Sequence, residues 1–184
     1  MKKKYKIIVL FGKSGAGKDT ALKEICKDKD FNKIITCTTR PKRDYETDGI
    51  DYHFLTPLEF YTKSKNGEMI EETCFNDWYY GTNLNDLSED KINIGVFNIN
   101  AICQLFNNPY LDIELIYIKA SDKTRLLRNL NRECNPNCHE ICRRFLADKK
   151  DFEKITTFPA MYEFDTEEHD DYAGLIQLIK NIKF

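Results

Sequence analysis

Apolar and polar positions along the chain fall into blocks that read alternately as strand and helix. Ile7-Ile8-Val9-Leu10-Phe11 is an unbroken apolar run of strand length. It leads into a glycine-rich stretch, after which Ala21-Leu22 and Ile25-Cys26 recur at helical spacing. Lys33 to Thr38 predicts a second strand, ended at Thr39-Arg40-Pro41-Lys42-Arg43, where Pro41 biases Arg40 to an extended backbone. Asp48-Gly49 signals a turn and Asp51 to Leu55 a short strand. Thr56-Pro57-Leu58-Glu59 is a helix start with its own capping box, for a helix running to about Lys65 and stopping at Asn66-Gly67. Glu68 to Thr73 and Trp78 to Thr82 flank Asn76-Asp77 as a pair of strands.

Further on, Asn83 is placed to cap a short helix over Leu84 to Asp90. Asn93 to Ile99 reads as a buried strand before a helix over Ala101 to Phe106, and Ile113 to Ile118 as another strand. Ser121 caps a helix carrying Arg125, Arg128 and Arg132; Asn135-Pro136-Asn137 breaks it, and a helix from about Cys138 carries Arg143 and Arg144. Ala160 to Asp165 and Glu167 to Ile182 read as the last strand and the closing helix. Strands alternating with helices predict an α/β fold, a three-layer sandwich with a parallel central sheet. Two segments, about 37–83 and about 125–153, fit the alternation poorly and are expected to project from a core of about 1–36, 84–124 and 154–184.

The stretch Gly12-Lys13-Ser14-Gly15-Ala16-Gly17-Lys18-Asp19-Thr20 carries the first chemical signal. Strand, glycine-rich loop and helix are the context of a phosphate-binding loop (P-loop), whose inward N–H groups and helix N-terminus cradle a polyphosphate. Lys18 is placed to reach the β- and γ-phosphates, as for ATP. The position after it, which ordinarily gives a hydroxyl to Mg²⁺, is Asp19 here.

Composition narrows the picture. With 184 residues, 41% of them hydrophobic, the chain suffices for one domain with a real core. A net charge of −2 gives no case for general nucleic-acid binding. Met1-Lys2-Lys3-Lys4 precedes an apolar run too short for a signal peptide or a membrane span, so no membrane partner and a cytoplasmic location are expected. Seven scattered cysteines read as free thiols. Cys134, Cys138 and Cys142 with His139 have zinc-ligand chemistry, but C-x₃-C-H-x₂-C is an uncommon spacing and Pro136 interrupts the helix that would align it. All seven arginines fall in two stretches, Arg40 with Arg43 and Arg125 to Arg144, while lysine serves elsewhere. Arginine suits bidentate phosphate contact. Arg125 and one of Arg143 and Arg144 read instead as a solvated face.

Taken together, Gly12 to Lys18, Thr38-Thr39-Arg40-Pro41-Lys42-Arg43, Asp48 to Phe54, Glu68-Met69-Ile70-Glu71 and Tyr79-Tyr80-Gly81-Thr82 resemble the guanylate kinases in order and spacing. The likeness is dense from 7 to 83, looser over 125–153 and faint after 155. It implies ATP-dependent phosphorylation of GMP or dGMP, with Mg²⁺, by a monomer or homodimer. Segment 37–83 would be the monophosphate-binding part and 125–153 the lid. Arg40, Arg43, Tyr52 and Tyr80 would hold the acceptor's phosphate. Glu71 would accept from N1–H and the 2-amino group of guanine, with Thr36, Thr82 and the adjoining Gly81 lining the base. Lys18, Arg40 and the lid arginines Arg128, Arg132 and Arg144 would act on the transferring phosphoryl group.

The likeness departs at Asp19, and at Asn98 and Asn100, where the family carries Asp-x-Asp beside the acceptor and metal sites. Asp19 would then restore a carboxylate for Mg²⁺. Gly-Lys-Asp-Thr also resembles some phage-type deoxynucleoside monophosphate kinases, so a different or broader base choice is an alternative. A binding domain that has lost catalysis is another, against which Lys18 and the lid arginines count. The family's adenine-contacting Asn has its nearest counterpart in Asp165.

Overall fold

The computed structural model describes residues 5–44, 46–75, 77–132, 134–158, 161–168 and 172–183, with the backbone alone at 154, 156 and 157. The N-terminal lysines, Asn76 of the predicted turn, Ala160 and residues 169–171 of the predicted closing helix lie outside that set. The strands are β1 (Tyr5–Phe11), β2 (Phe31–Lys33), β3 (Cys37–Thr38), β4 (His53–Phe54), β5 (Met69–Phe75), β6 (Trp78–Asn83), β7 (Ile92–Val96), β8 (Leu111–Lys119) and β9 (Tyr162–Asp165). The helices are α1 (Lys18–Ile25), α2 (Pro57–Lys65), α3 (Ile99–Phe106), α4 (Asp122–Asn131), α5 (Cys138–Asp151) and α6 (Ala173–Asn181).

The main sheet has the order β2-β7-β1-β8-β9 and a second sheet the order β4-β3-β6-β5. The pairs β2–β7 and β8–β9 are parallel, as the alternation of strands and helices requires. Ile7 to Phe11 on β1 are fully buried, so their unbroken apolar run marks the middle of this sheet. Helix α1 buries Ala21, Leu22 and Ile25, and α3 buries Ala101, Ile102 and Leu105.

Two compact units make up the chain: Met1–Ile7, Lys29–Gly95 and Asn100–Ile113 in one, Ile8–Asp28, Val96–Ile99 and Glu114–Phe184 in the other. The first holds the whole second sheet. The second holds the glycine-rich loop with α4 and α5.

Several expected boundaries shift. The predicted strand Lys33–Thr38 is two strands in two sheets: Ile34 N–H still donates to Ile94 of the main sheet, while Cys37 already opposes Gly81 in the second. A single apolar-rich run hid that change of partner. The predicted helix over Leu84–Asp90 is only a 3₁₀ turn, Leu84–Asp86, although Asn83 does cap it through Asn85 N–H. Asn93 explains the early end. Its amide accepts from Ser88 N–H and donates to the Ser88 and Lys6 carbonyls, pinning the chain into β7. Strand β7 stops at Val96, and α3 starts at Ile99 instead of Ala101. The predicted capping box at Thr56 and Glu59 and the Ser121 cap are both formed.

Candidate functional site

The loop after β1 is fixed by what its glycines exclude. A Cβ on Gly12 would lie 2.1 Å from the Ile118 carbonyl oxygen, and one on Gly15, at φ +78°, 2.5 Å from that of Arg125. Gly17, at φ +100°, is the N-cap of α1 and has no side chain to bond that helix's first N–H groups. Lys18 arches back over the loop, its Nζ donating to the carbonyls of Gly12 at 2.7 Å and Lys13 at 3.0 Å. Burial pushes its ammonium below the usual lysine range, against the pull of Asp19 and Asp148. Asp19 is exposed on the first turn of α1.

The arginines of α4 turn to this loop. Arg128 Nη1 donates to Thr166 Oγ1 at 2.9 Å and reaches the Gly15 and Ala16 carbonyls at 3.4 Å each. Arg125 donates from Nε to the Ser14 carbonyl at 3.0 Å. Arg132 caps the C-terminus of α4 in an exposed position, and its charge helps to lower the Lys18 pKa. On α5, Arg144 Nε pairs with Glu140 at 2.7 Å, and Arg143 grips the same carboxylate with Nε at 2.6 Å and Nη2 at 2.9 Å. These two guanidiniums hold the Glu140 carboxyl down to about 2.

In the other unit the second sheet builds a polar floor. Register pairs Glu71 with Thr82 and Thr38 with Tyr80. Because facing residues share a side and alternate residues return to it, Thr38, Tyr80, Thr82 and Glu71 line one face. Glu71, 4% exposed, accepts from Thr82 Oγ1 at 2.9 Å. Burial pushes its carboxyl up to about 7, the threonine hydrogen bond pulling the other way. Gly81 is required by close approach: a Cβ there would meet the Glu71 carbonyl at 2.9 Å. Arg40, 8% exposed, pairs through Nη2 with Glu46 Oε1 at 2.7 Å, and its guanidinium lies 5.3 Å from the Tyr52 ring and 5.7 Å from that of Phe54. The Tyr52 and Tyr80 rings meet edge-on at 6.3 Å. Two polar clusters thus exist: a glycine loop with cations beside it, whose N–H groups and charge suit a polyphosphate in chemical type, and a buried carboxylate on a sheet with a guanidinium and two phenols near one another.

A family model described as Guanylate kinase matches residues 4–174, nearly the whole chain. The chain belongs to the guanylate kinase family. It is 32% identical over 161 residues to a guanylate kinase of Mycoplasma genitalium, a match covering 83% of this chain and 66% of that protein. It is 30% identical to a guanylate kinase of Prochlorococcus marinus, with both chains covered in full. The chain's match thus spans just under two thirds of the Mycoplasma protein's own length. A solved guanylate kinase from Anaplasma phagocytophilum superposes with a TM-score of 0.67 over 98% of this chain and 85% of its own, at 18% identity, a likeness of fold.

Among the residues that guanylate kinase membership would assign, Glu71, Gly81, Thr82 and Tyr80 come together on the second sheet, with Arg40 and Tyr52 in ring contact. Thr36 is half-buried just before β3, its carbonyl accepting from His53 N–H at 3.0 Å. Arg43 is exposed and joins through its backbone, donating from N–H to Glu46 Oε2 at 2.8 Å. Asn98 and Asn100 are exposed between β7 and the first turn of α3. Asp165 ends β9, and Thr166 beside it is what Arg128 grasps.

One arginine reading is overturned. Arg125, expected on a solvated face, is 2% exposed, because the Ser14 carbonyl, Asp122 and Asp148 all draw its guanidinium inward. Cys134, Cys138 and Cys142 are exposed free thiols, and no group of three or more potential metal ligands occurs among the described residues. Sequence reasoning missed Glu46 and Asp148. An acid six positions beyond Arg40 was the only signal for Glu46, and nothing local marked Asp148, which meets the loop 134 positions away.

Proposed function

We propose that this protein transfers the terminal phosphoryl group of ATP to GMP or dGMP. The observation that carries the reading is Glu71, a buried carboxylate fixed by Thr82 on a sheet that also presents Tyr80 near Arg40 and Tyr52. Guanine offers two adjacent donors, N1–H and the 2-amino group, that one carboxylate accepts together; adenine offers no such pair. A site built for those donors leaves buried polar groups unpaired when the wrong base enters, which is a strong discriminator.

Arg40, Arg43, Tyr52 and Tyr80 hold the acceptor's phosphate and Thr36 and Gly81 border the base; the family likeness also assigns acceptor contacts to Asn98 and Asn100. The loop Gly12–Thr20 holds the donor's phosphates. Lys18 and the lid arginines Arg128, Arg132 and Arg144 stabilise charge spread over the transferring group, a reaction that needs positioning and positive charge more than covalent help. Segment 37–83 acts as the monophosphate-binding part and 125–153 as the lid, whose closure excludes water.

The residues present suit Mg²⁺. Asp19 offers an exposed carboxylate beside Lys18, and no dedicated cage occurs among the described residues. This matches an ion held by one or two carboxylates together with substrate phosphates and water. When bound, Mg²⁺ neutralises phosphate charge. Asp19→Ser that keeps full Mg²⁺-dependent activity would remove Asp19 from this role. No helix of the described residues is long and apolar enough to cross a membrane.

The test is ADP release from ATP and Mg²⁺ against GMP, dGMP, AMP, dTMP and CMP. Turnover confined to guanine nucleotides is the expected result. Turnover of another base overturns the role of Glu71 while keeping the kinase. No turnover with any acceptor, with ATP bound, marks a binding protein.

A further inference from the structure

Ser14 stands third in the phosphate loop, and side chains from 125–153 engage both its N–H and its carbonyl. Its N–H donates to Asp148 Oδ2 at 2.7 Å, and its carbonyl accepts from Arg125 Nε at 3.0 Å. Arg125 Nη2 donates to that same Asp148 oxygen at 2.8 Å. A single carboxylate oxygen therefore collects one loop N–H and one guanidinium N–H. Phosphate oxygens collect the same kinds of donor in glycine-rich loops. Asp148 is an internal anion seated on the loop, and its charge also reaches Lys18.

The two carboxylates on Arg125 are not equivalent. Asp122 precedes it by one turn of α4 and binds Nη1 at 2.6 Å. Asp148 lies on α5, a different helix, and is 18% exposed. A guanidinium buried this deeply, with the Phe145 ring 5.0 Å away, is costly without a counter-charge and acceptors for its N–H groups. Asp122, bound to Nη1 from the same helix, would still supply a counter-charge if Asp148 left, and Nη2 would then be open to another anion.

We infer that Arg125 is a further binding residue for the donor's terminal phosphate, and that Asp148 keeps its place until the nucleotide arrives. The terminal phosphate takes the Ser14 N–H and Arg125 Nη2, and Asp148 moves off into water. No covalent step is involved. The inference rests on the reading of this loop as the site of the donor nucleotide. Since only molecules with Asp148 displaced accept that phosphate, the apparent affinity for ATP is lowered by the fraction displaced.

The experiment is calorimetric titration of the full-length protein with ATP and ADP. Asp148→Asn keeps the shape and an acceptor oxygen but removes the charge. It is expected to bind ATP about 3- to 30-fold more tightly than the wild type, with a smaller gain for ADP, whose phosphate chain is one unit shorter. Adding Arg125→Gln is expected to reverse the gain, and a gain that survives intact overturns the assignment of Arg125. A folded Asp148→Asn protein whose ATP affinity is unchanged or weaker overturns the inference and makes the contact a structural brace. In the wild type, whatever the variants do, the ¹³C-carboxyl resonance of Asp148 should move when ATP saturates the protein, and a resonance that stays put is equally fatal. Failure of the wild type to bind ATP at all defeats the kinase reading too; ATP binding without a gain in Asp148→Asn defeats this inference alone.

Discussion

Under the proposed kinase reading, the second sheet and the glycine-rich loop with its arginines solve opposite problems. On the sheet, Glu71, Thr82 and Arg40 are buried, held by short hydrogen bonds and set in a register that alternation enforces. Around the loop, Arg125 is buried, but Asp19, Arg128 and Arg132 are exposed, Arg128 bonding Thr166, and on α5 the half-exposed Arg144 pairs with Glu140. The difference teaches where rigidity is useful. Discrimination between bases requires unpaired polar groups to stay unpaired when the wrong base enters, so the readers must not relax. Phosphoryl transfer requires cations to gather only around a charge that arrives with substrate, so they are better held nearby on weak partners.

Deleting one charge on each side is the sharpest way to break this comparison. Glu46→Ala leaves Arg40 buried without its anion, and breaking such a pair destabilises by about 3–5 kcal/mol, which urea unfolding measures. The Arg40 hydrogen bond holds the Glu46 carboxyl below its ordinary value. That stabilisation is therefore complete above the unfolded pKa and disappears as pH falls through the lower folded one. Lys18→Met removes a desolvated ammonium instead. Stability is expected to hold, while kcat falls about 10²- to 10³-fold with little change in KM for GMP, read by steady-state kinetics. If Glu46→Ala were harmless to folding, or Lys18→Met unfolded the protein, the division of labour between the two regions would collapse.

Legibility in the sequence follows the same division. The glycine loop, the capping box at Thr56 and the alternation of strands with helices are set by neighbours a few residues apart, so spacing alone exposes them. The proposed base readers are legible for another reason: Glu71 taken alone is an ordinary strand carboxylate, and only its place within a dense set of family motifs suggests a role. What stayed hidden depends on distant partners. Lys33–Thr38 looks like one strand because composition does not record that Ile34 bonds Ile94 while Cys37 opposes Gly81. Arg125 looks solvated because nothing near it announces Asp148 or the Ser14 carbonyl.

Glu71 sharpens the comparison through pH. Its folded carboxyl is pushed up to about 7 from an ordinary 4.5, so between those values the folded state binds the extra proton. Stability is expected to fall as pH rises through that window, by on the order of 3 kcal/mol in all, and to level off above it. Guanine needs the ionised carboxylate, so KM for GMP should improve as pH rises through about 7. Glu71→Gln should flatten both profiles and lower kcat/KM for GMP by about 30- to 100-fold, since one of two acceptor oxygens becomes a donor. Profiles that keep their slope in Glu71→Gln would assign the titration to another group.

The smallest effect is expected at Glu140. Its carboxyl is held down to about 2 by Arg143 and Arg144, a large displacement for a group on a half-exposed helix face. Water and salt screen such pairs, and i,i+3 and i,i+4 partners contribute only about 0.2–0.5 kcal/mol each, so Glu140→Gln should cost under about 1 kcal/mol. The acid's pKa is depressed, so this small contribution is present at neutral pH and fades only as pH drops below the ordinary 4.5 towards about 2. Kinetics decide more than stability here. If Glu140 merely parks Arg144, freeing the guanidinium leaves kcat within about twofold or raises it. A tenfold fall in kcat at unchanged stability would mean that Glu140 aims Arg144, so that the loop side, like the sheet, is built in advance.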